Sequence, residues 1–355
     1  MKSDNGSTLS AVSASPAAVL PVIGAPGDDV IAAQIKQLVG TARKIVITGH
    51  ERPDGDCIGS EVALCSILIE AGFKAEIVNA DPTPQKYQYL ADGGAIPIRL
   101  LGQNEVLDAD LVFVLDATDI SRLGRIKLET LGAAKVIDID HHLGNPNFGV
   151  VNWVDVKAAA TGELIWRLAA NSGWKVPLLA MKALYTALVT DTGQFAYSNT
   201  SSRVLKMAAE LVERGVDPET VWQTVYLNKS HGELKLEARA LASLQCAADG
   251  KICSIAVTHE DFLATGTGPQ HTEDFSGIPR SLVGVQLSLF FYEVNGGTQT
   301  KVSLRSTRGF DVCALARRFG GGGHKQASGC TINSPLKEAR PLMMAEAERY
   351  IKETK

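Results

Sequence analysis

The chain has no window of about 18 uncharged apolar residues, so a helical membrane span is not expected. It also has no excess of positive charge: 35 Lys and Arg stand against 39 Asp and Glu, a formal charge of −4. That balance argues against long duplex DNA as the main partner, because such proteins usually neutralise several phosphates with a basic face, although a local basic pocket stays open. Cysteines are few and scattered. Cys57, Cys65, Cys246, Cys253, Cys313 and Cys330 include no CxxC pair, which argues against a thiolate metal site and fits reduced thiols in a cytoplasm better than a disulfide framework. Aromatics are sparse at 6%, and Trp153, Trp166, Trp174 and Trp222 are read as core or rim packing rather than stacking platforms.

What is present is ordinary globular composition, 45% hydrophobic and 21% charged over 355 residues. This is length for roughly two domains with a well-buried core, and it disfavours disorder, collagen and a small disulfide scaffold. Residues 1 to 28, rich in Ser, Ala, Gly and Pro, read as a disordered extension rather than a signal peptide. Their apolar stretch from Ala17 to Ile23 is short, broken by Pro21 and preceded by Asp4.

From Asp29 the spacing of Val30, Ile31, Ile35, Leu38 and Val39 predicts a helix ended at Gly40. A β-branched run from Lys44 to Thr48 predicts a strand. Beyond its polar loop, Ile58, Val62, Cys65 and Ile69 predict a helix stopped by Gly72. Apolar runs at Ala75 to Val78, Leu111 to Leu115 and Val136 to Ile139 alternate with helical stretches, as in a doubly wound, mainly parallel sheet covered on both faces. Helical patterns then dominate from Gly162 to Leu244. After Ala247 strands return, at Ile252 to Val257, Leu282 to Val294 and Thr300 to Ser306, the last two joined by Asn295-Gly296-Gly297 as a hairpin turn. A Gly-rich segment from Gly320 to His324 precedes a strand from Gly329 to Ile332. The expected organisation is an α/β domain over residues 29–229, a linker helix at 230–246 and a smaller α+β domain over 247–355, with the active site in the cleft between the domains.

The strongest local signal is His50-Glu51-Arg52-Pro53-Asp54-Gly55-Asp56-Cys57-Ile58-Gly59-Ser60, where a strand gives way to a helix. In open α/β sheets that carboxyl edge is where ligands bind. His50, Asp54 and Asp56 on one tight loop can converge on a point, and oxygen ligands with an imidazole suit Mn²⁺ or Mg²⁺. The plainer alternative is a loop whose aspartates cap the helix. Asp116 ends the run Leu111 to Leu115, and Asp140-His141-His142 ends Val136 to Ile139. Asp191 follows the helical pattern from Leu178 to Val189. Singly, each aspartate reads as a turn residue and the paired histidines as partners of neighbouring carbonyls; together, strand ends on one edge share one site.

The motifs HERPDGDCIGS, LDAT, IDHH, TDTG and GGGHKQASG, in that order over residues 30 to 335, resemble the DHH/DHHA1 phosphoesterases, and most of all their nanoRNase and 3′-phosphoadenosine-5′-phosphate (pAp) phosphatase branch. The resemblance implies two Mn²⁺, with Mg²⁺ or Co²⁺ as alternatives. His50, Asp54 and Asp116 would hold one ion, and Asp56, Asp116, His141 and Asp191 the other, with Asp116 bridging. His142 would contact the phosphate. Asp116, His142 and Asp56 form the implied catalytic set, since two cations about 4 Å apart activate a bridging water and offset phosphate charge. The resemblance further implies that Arg305, Gly321, Gly322, Gly323 and His324 grip the end of a short nucleotide, a bidentate arginine contact and bare backbone being suited to an anion. The bland reading of that loop is a flexible glycine turn.

The implied activity is removal of 5′-mononucleotides from RNA of about two to five nucleotides, with pAp dephosphorylation, in the cytoplasm. Partners would be short RNA, dinucleotides and pAp, with no long duplex DNA and no membrane; a homodimer is among the assemblies left open. The competing readings are a linear or cyclic dinucleotide phosphodiesterase, a RecJ-type single-strand exonuclease, a family II pyrophosphatase and a non-catalytic nucleotide-binding protein. The last would be marked by a missing ligand, and every proposed position holds a competent residue. His231, His259 and His271 belong to no motif and are expected at the surface or in caps; Cys57 is read as a small packing residue.

Overall fold

The computed structural model describes residues 25–91, 94, 96–307 and 309–353. The chain divides into two units, one running to Asn228 and the other from Lys229 onward.

The first unit is a six-stranded, wholly parallel sheet. Its strands are β1 (Ile45–Gly49), β2 (Ala75–Asn79), β3 (Ile98–Leu100), β4 (Leu111–Leu115), β5 (Lys135–Asp140) and β6 (Val151–Val154), in the order β3-β2-β1-β4-β5-β6. Alternation along each strand sends side chains to opposite faces. Ile45, Ile47, Phe113, Leu115, Ile137 and Ile139 enter one core, whereas Val46, Val78, Val112 and Val114 enter another. Helices α1 (Asp28–Thr41), α2 (Gly55–Glu70), α4 (Thr161–Ser172) and α5 (Leu178–Asp191) contribute the residues that fill the first of these cores. The second is completed by short segments that include α3 (Leu128–Leu131). Helices α6 (Ser202–Glu213) and α7 (Pro218–Tyr226) complete the unit. The order reverses between β1 and β4, which makes their carboxyl ends the topological switch point where such sheets bind ligands.

Helix α2 is buried from Gly55 to Leu68 because it lies between α4, α5 and the sheet. Gly59 permits that approach. A Cβ there would stand 2.5 Å from the Ala183 carbonyl oxygen.

The second unit carries α8 (His231–Ala242), β7 (Gln245–Ala247), β8 (Ile252–Val257), α9 (His259–Thr265), β9 (Leu287–Val294), β10 (Gln299–Ser306), α10 (Val312–Arg317), β11 (Gly322–His324), β12 (Ala327–Ile332) and α11 (Leu336–Glu353). Its sheet runs β11-β12-β10-β9-β8-β7, antiparallel except for the β8–β9 pair. Ala339, Met343, Ala347 and Ile351 of α11 pack with Leu287, Leu289, Val302 and Leu304, while Leu236 and Ala240 of α8 and Phe262 of α9 pack with Ile255, Val257 and Phe290.

Several expectations are corrected. β9 starts at Leu287 rather than Leu282, because the preceding residues form a 3-10 segment, Glu273–Ser281, and the chain turns at Gly284 with φ +84°. The hairpin between β9 and β10 does use Asn295, Gly296 and Gly297, all at positive φ. Cys246 and Cys253 are joined as a disulfide instead of staying reduced. They face each other in the β7–β8 register with Cα atoms 4.2 Å apart, a cross-strand contact that cysteine spacing alone does not disclose. The other four cysteines are free and buried. The expected N-terminal extension lies outside the described residues as far as residue 24. Asp28, grouped with that extension on composition, instead opens α1 and is buried. Trp153, Trp166 and Trp174 are buried, whereas Trp222 is exposed. Among the described residues no helix is long and apolar enough to cross a membrane.

Asp28 is buried because it pairs with Arg167 of α4. Arg167 Nε and Nη2 donate to the two Asp28 oxygens at 2.7 and 2.5 Å, and its Nη1 donates to Asp155 Oδ2 at 2.7 Å. Burial alone would lower the guanidinium pKa; Asp28 and Asp155 outweigh it and hold it above its ordinary value. Replacing Arg167 with Met strands two carboxylates, and urea unfolding should show a loss of about 3–5 kcal/mol. A loss under about 1 kcal/mol would show that the pair does not anchor α1 to α4.

Candidate metal centre

Three loops at the carboxyl edge of the parallel sheet and the end of α5 place the sequence-predicted residues of the first unit in one cluster. At the end of β1, a Cβ on Gly49 would lie 2.2 Å from Cys57 Sγ, so bare backbone is what lets the loop turn directly onto α2. His50 follows, its Nδ1 hydrogen-bonded to the Glu51 carbonyl at 2.9 Å. Its Nε2 lies 3.7 Å from Asp54 Oδ1 and 3.6 Å from Asp116 Oδ2. Asp54 is also the N-cap of α2, accepting from the amides of Asp56 and Cys57 at 3.0 and 3.1 Å. The capping and ligand readings therefore describe the same side chain.

Asp116 stands one residue beyond β4 at φ +57°, a left-handed conformation that aspartate tolerates better than most residues. Its amide donates to Ile139 at 3.1 Å, tying it to β5. The neighbouring strand ends in Asp140, then His141 and His142. His141 Nδ1 lies 3.3 Å from the Ala158 carbonyl oxygen. Its Nε2 lies 3.6 Å from Asp56 Oδ2, 3.5 Å from Asp116 Oδ1 and 3.6 Å from Asp191 Oδ2. His142 is held differently, with Nδ1 2.8 Å from Asp140 Oδ1.

These spacings fit a cation. His141 Nε2 is buried and has no hydrogen-bond partner among the described residues, yet three carboxylate oxygens surround it at nearly equal distance. An ion with bonds of about 2.1 Å separates its ligand atoms by roughly 3 to 3.5 Å, close to what is seen. His50, Asp54 and Asp116 make one such group, Asp56, His141 and Asp191 a second, and Asp116, His141 and His142 a third.

The charge balance points the same way. Burial alone would lower the His50 imidazole, but Asp116 and Asp54 outweigh it and push it up to about 11. Burial likewise opposes charge on His141, and Asp116, Asp56 and Asp191 raise it well above its usual value. Asp56 is raised by burial and by the charge of Asp116, and Asp191, for the same reasons, is pushed up to about 7. Asp116 is driven the other way. Its burial penalty is outweighed by His141 and His50, which hold it far below the carboxylate range. The metal-free cluster thus keeps its charge down with protons that a divalent ion would displace.

Supporting groups that the sequence reading missed hold the cluster's aspartates and their backbone. Asp56 accepts from the Thr161 amide at 2.6 Å, the Gly162 amide at 3.0 Å and Ser60 Oγ at 3.0 Å. Asn145 Nδ2 donates to Asp140 Oδ2 at 2.9 Å and to Asp138 Oδ1 at 3.2 Å. Asn199 Nδ2 donates to the Asp191 and Ala159 carbonyl oxygens at 3.1 and 3.0 Å. The only sequence signal for Asn199 was a polar break at Ser198 to Ser202 in a helical region.

The second unit holds the remaining predicted residues. Arg305 lies on β10, with Nη1 3.1 Å from the Leu304 carbonyl oxygen. The Gly-rich segment is not a flexible loop, because Gly322, Gly323 and His324 form β11 and pair with β12. Gly321 cannot lend its N–H to an anion here; that group donates to the Ala316 carbonyl at 3.0 Å. Glycine is needed at 321 for close approach, since a Cβ would lie 2.2 Å from the Gly329 oxygen. The His324 side chain lies outside the described residues.

Imidazoles and carboxylates gathered at the switch point of a parallel sheet, with one aspartate common to two groups, define a metal-dependent phosphoesterase. The DHH family N-terminal domain matches residues 44–190, and the DHHA1 domain matches residues 262–353. The chain belongs to this family. The bifunctional oligoribonuclease and PAP phosphatase NrnA of Bacillus subtilis (strain 168) is 28% identical over 312 residues, covering 87% of this chain and 95% of the relative. The protein of the same name from Thermus thermophilus is 29% identical over 288 residues, 81% and 84% of the two chains. The crystal structure of an exopolyphosphatase-related protein from Bacteroides fragilis superposes with a TM-score of 0.85 at 26% identity, over 92% of this chain and 97% of that one.

Because His50 and His141 are held protonated and a metal takes only the neutral imidazole, ion uptake should release protons, and affinity should rise with pH. Titration calorimetry with Mn²⁺ in buffers of different ionisation enthalpy measures this. The observed heat should change with the buffer; identical heats would contradict the charge balance described.

Proposed function

We propose that the chain is a Mn²⁺-dependent phosphoesterase that removes 5′-mononucleotides from RNA of about two to five nucleotides and also dephosphorylates pAp. The observation that carries this is the sharing of Asp116, whose two carboxylate oxygens face His50 and His141 separately, at 3.6 and 3.5 Å. In this reading His50, Asp54 and Asp116 hold one ion, and Asp56, Asp116, His141 and Asp191 hold the second. A pair of divalent ions would supply charge to offset the phosphate and would lower the pKa of a water.

The protein's own groups do the rest. Asp116 fixes the spacing between the two groups through its tether to β5. Asp140 orients the His142 ring so that its far nitrogen can meet a phosphate oxygen. Asn145 steadies Asp140 in turn, so the contact is set before substrate arrives. Arg305, Gly322, Gly323 and His324 are proposed to hold the terminal phosphate of the nucleotide, without the Gly321 amide that the sequence reading included. The substrate class follows that named for the Bacillus and Thermus relatives, and the mild acidic charge agrees with short rather than long strands. The proposed location is the cytoplasm, where the Cys246–Cys253 bridge would face reduction.

The test is product analysis after incubation with Mn²⁺ and pApA, a 24-mer RNA, pAp or pyrophosphate, each with an EDTA control. AMP from pApA and phosphate from pAp, both abolished by EDTA, with the 24-mer nearly untouched, are the expected outcome. Rapid loss of the 24-mer or of pyrophosphate would overturn it. Asp116→Ala should cut turnover at least about a thousandfold, about 4 kcal/mol, while the melting temperature is kept. Retained turnover would remove Asp116 from the centre of the mechanism.

A further inference from the structure

Thr161, the first residue of α4, touches two of the proposed ligand carboxylates, Asp56 and the shared Asp116. Its amide donates to Asp56 Oδ2 at 2.6 Å, and its hydroxyl donates to Asp116 Oδ1 at 3.1 Å. The residue is fully buried. α4 follows Ala160, which offers no side-chain cap, so its first amides are satisfied by a carboxylate from α2 lying 105 residues earlier in the chain. Gly162 makes the fit possible: a Cβ there would stand 2.6 Å from Ala187 Cβ, and its amide is the second donor to Asp56. The Arg167 pair with Asp28 anchors the same helix three residues past Thr161's turn.

We infer that Thr161 is a positioning residue for the metal centre, its hydroxyl selecting which Asp116 lone pairs face the ions. This rests on the two-ion reading above. A hydroxyl donor on Oδ1 removes one direction in which that oxygen could swing, and it keeps the carboxylate spread between His50 and His141. Partners of this kind, which touch ligands rather than metal, commonly change affinity by about 10- to 100-fold when removed.

The experiment is Mn²⁺ titration calorimetry on the EDTA-stripped full chain, wild type beside Thr161→Val, Thr161→Ser and Thr161→Ala, with melting curves of each. The wild type should take up two ions. Val, which keeps the shape and loses the hydroxyl, and Ala should bind at least one ion about 10- to 100-fold more weakly, and Ser should stay within about threefold of wild type. With the ions saturating, most of the kcat of Val should return, as a role exerted through the metal requires. If Val binds like wild type while Ser and Ala are impaired, the methyl group and packing are what matter, and the inference is wrong. If Val fails to fold, the contrast between Ser and Ala decides by the same rule. A wild type that binds no Mn²⁺ would sink the two-ion reading and this inference together.

Discussion

The repulsion among Asp54, Asp56, Asp116, Asp140 and Asp191 is the constraint on which the rest of the first unit depends. Crowded carboxylates in a buried place are costly unless each has donors or counter-charge. Specific neighbours serve that need. His50 and His141 answer Asp116, His142 and Asn145 answer Asp140, and the start of α4 answers Asp56. Asp54 is satisfied by the start of α2. A cluster so assembled is suited to accept a cation, since the protons that balance it can leave.

The sheet order explains how residues so far apart in the chain meet. β1, β4 and β5 are neighbours, so the residues just past their ends stand side by side, and the reversal of order between β1 and β4 leaves that edge open to a ligand. α2 and α5 then deliver Asp56 and Asp191 from opposite ends: Asp56 in the first turn of one, Asp191 as the last residue of the other. Gly59 and Gly162 let α2, α4 and α5 lie close enough for their termini to share one space. Stability and site are therefore one arrangement. The Arg167 pair with Asp28 steadies α4, whose start holds Asp56 and Asp116.

Much of this was legible in the sequence, for identifiable reasons. The central strands read clearly because their apolar runs are continuous, as a strand buried on both faces requires; Leu111–Leu115 and Ile252–Val257 match their runs residue for residue. His50, Asp54, Asp56, Asp116, His141 and Asp191 were visible because each lies where an element ends or begins, and a sheet edge gathers such places. The short edge strands β3 and β7 were hidden by their length of three residues each. Thr161, Asn145 and Asn199 were hidden for a deeper reason: their role is a contact across more than local sequence, and a threonine at a helix start or an asparagine in a loop is ordinary in isolation. The disulfide was missed because pairing of Cys246 with Cys253 depends on register, which cysteine counting ignores. The pairing of Gly322 to His324 was hidden because strand β11 gains its partner, β12, beyond the turn.

Crystals grown with Mn²⁺ and measured at the manganese absorption edge test the central claim most directly. Two anomalous peaks are predicted, one among His50, Asp54 and Asp116 and one among Asp56, His141 and Asp191, with Asp116 touching both. A single peak, or an Asp116 that contacts only one ion, would contradict the account.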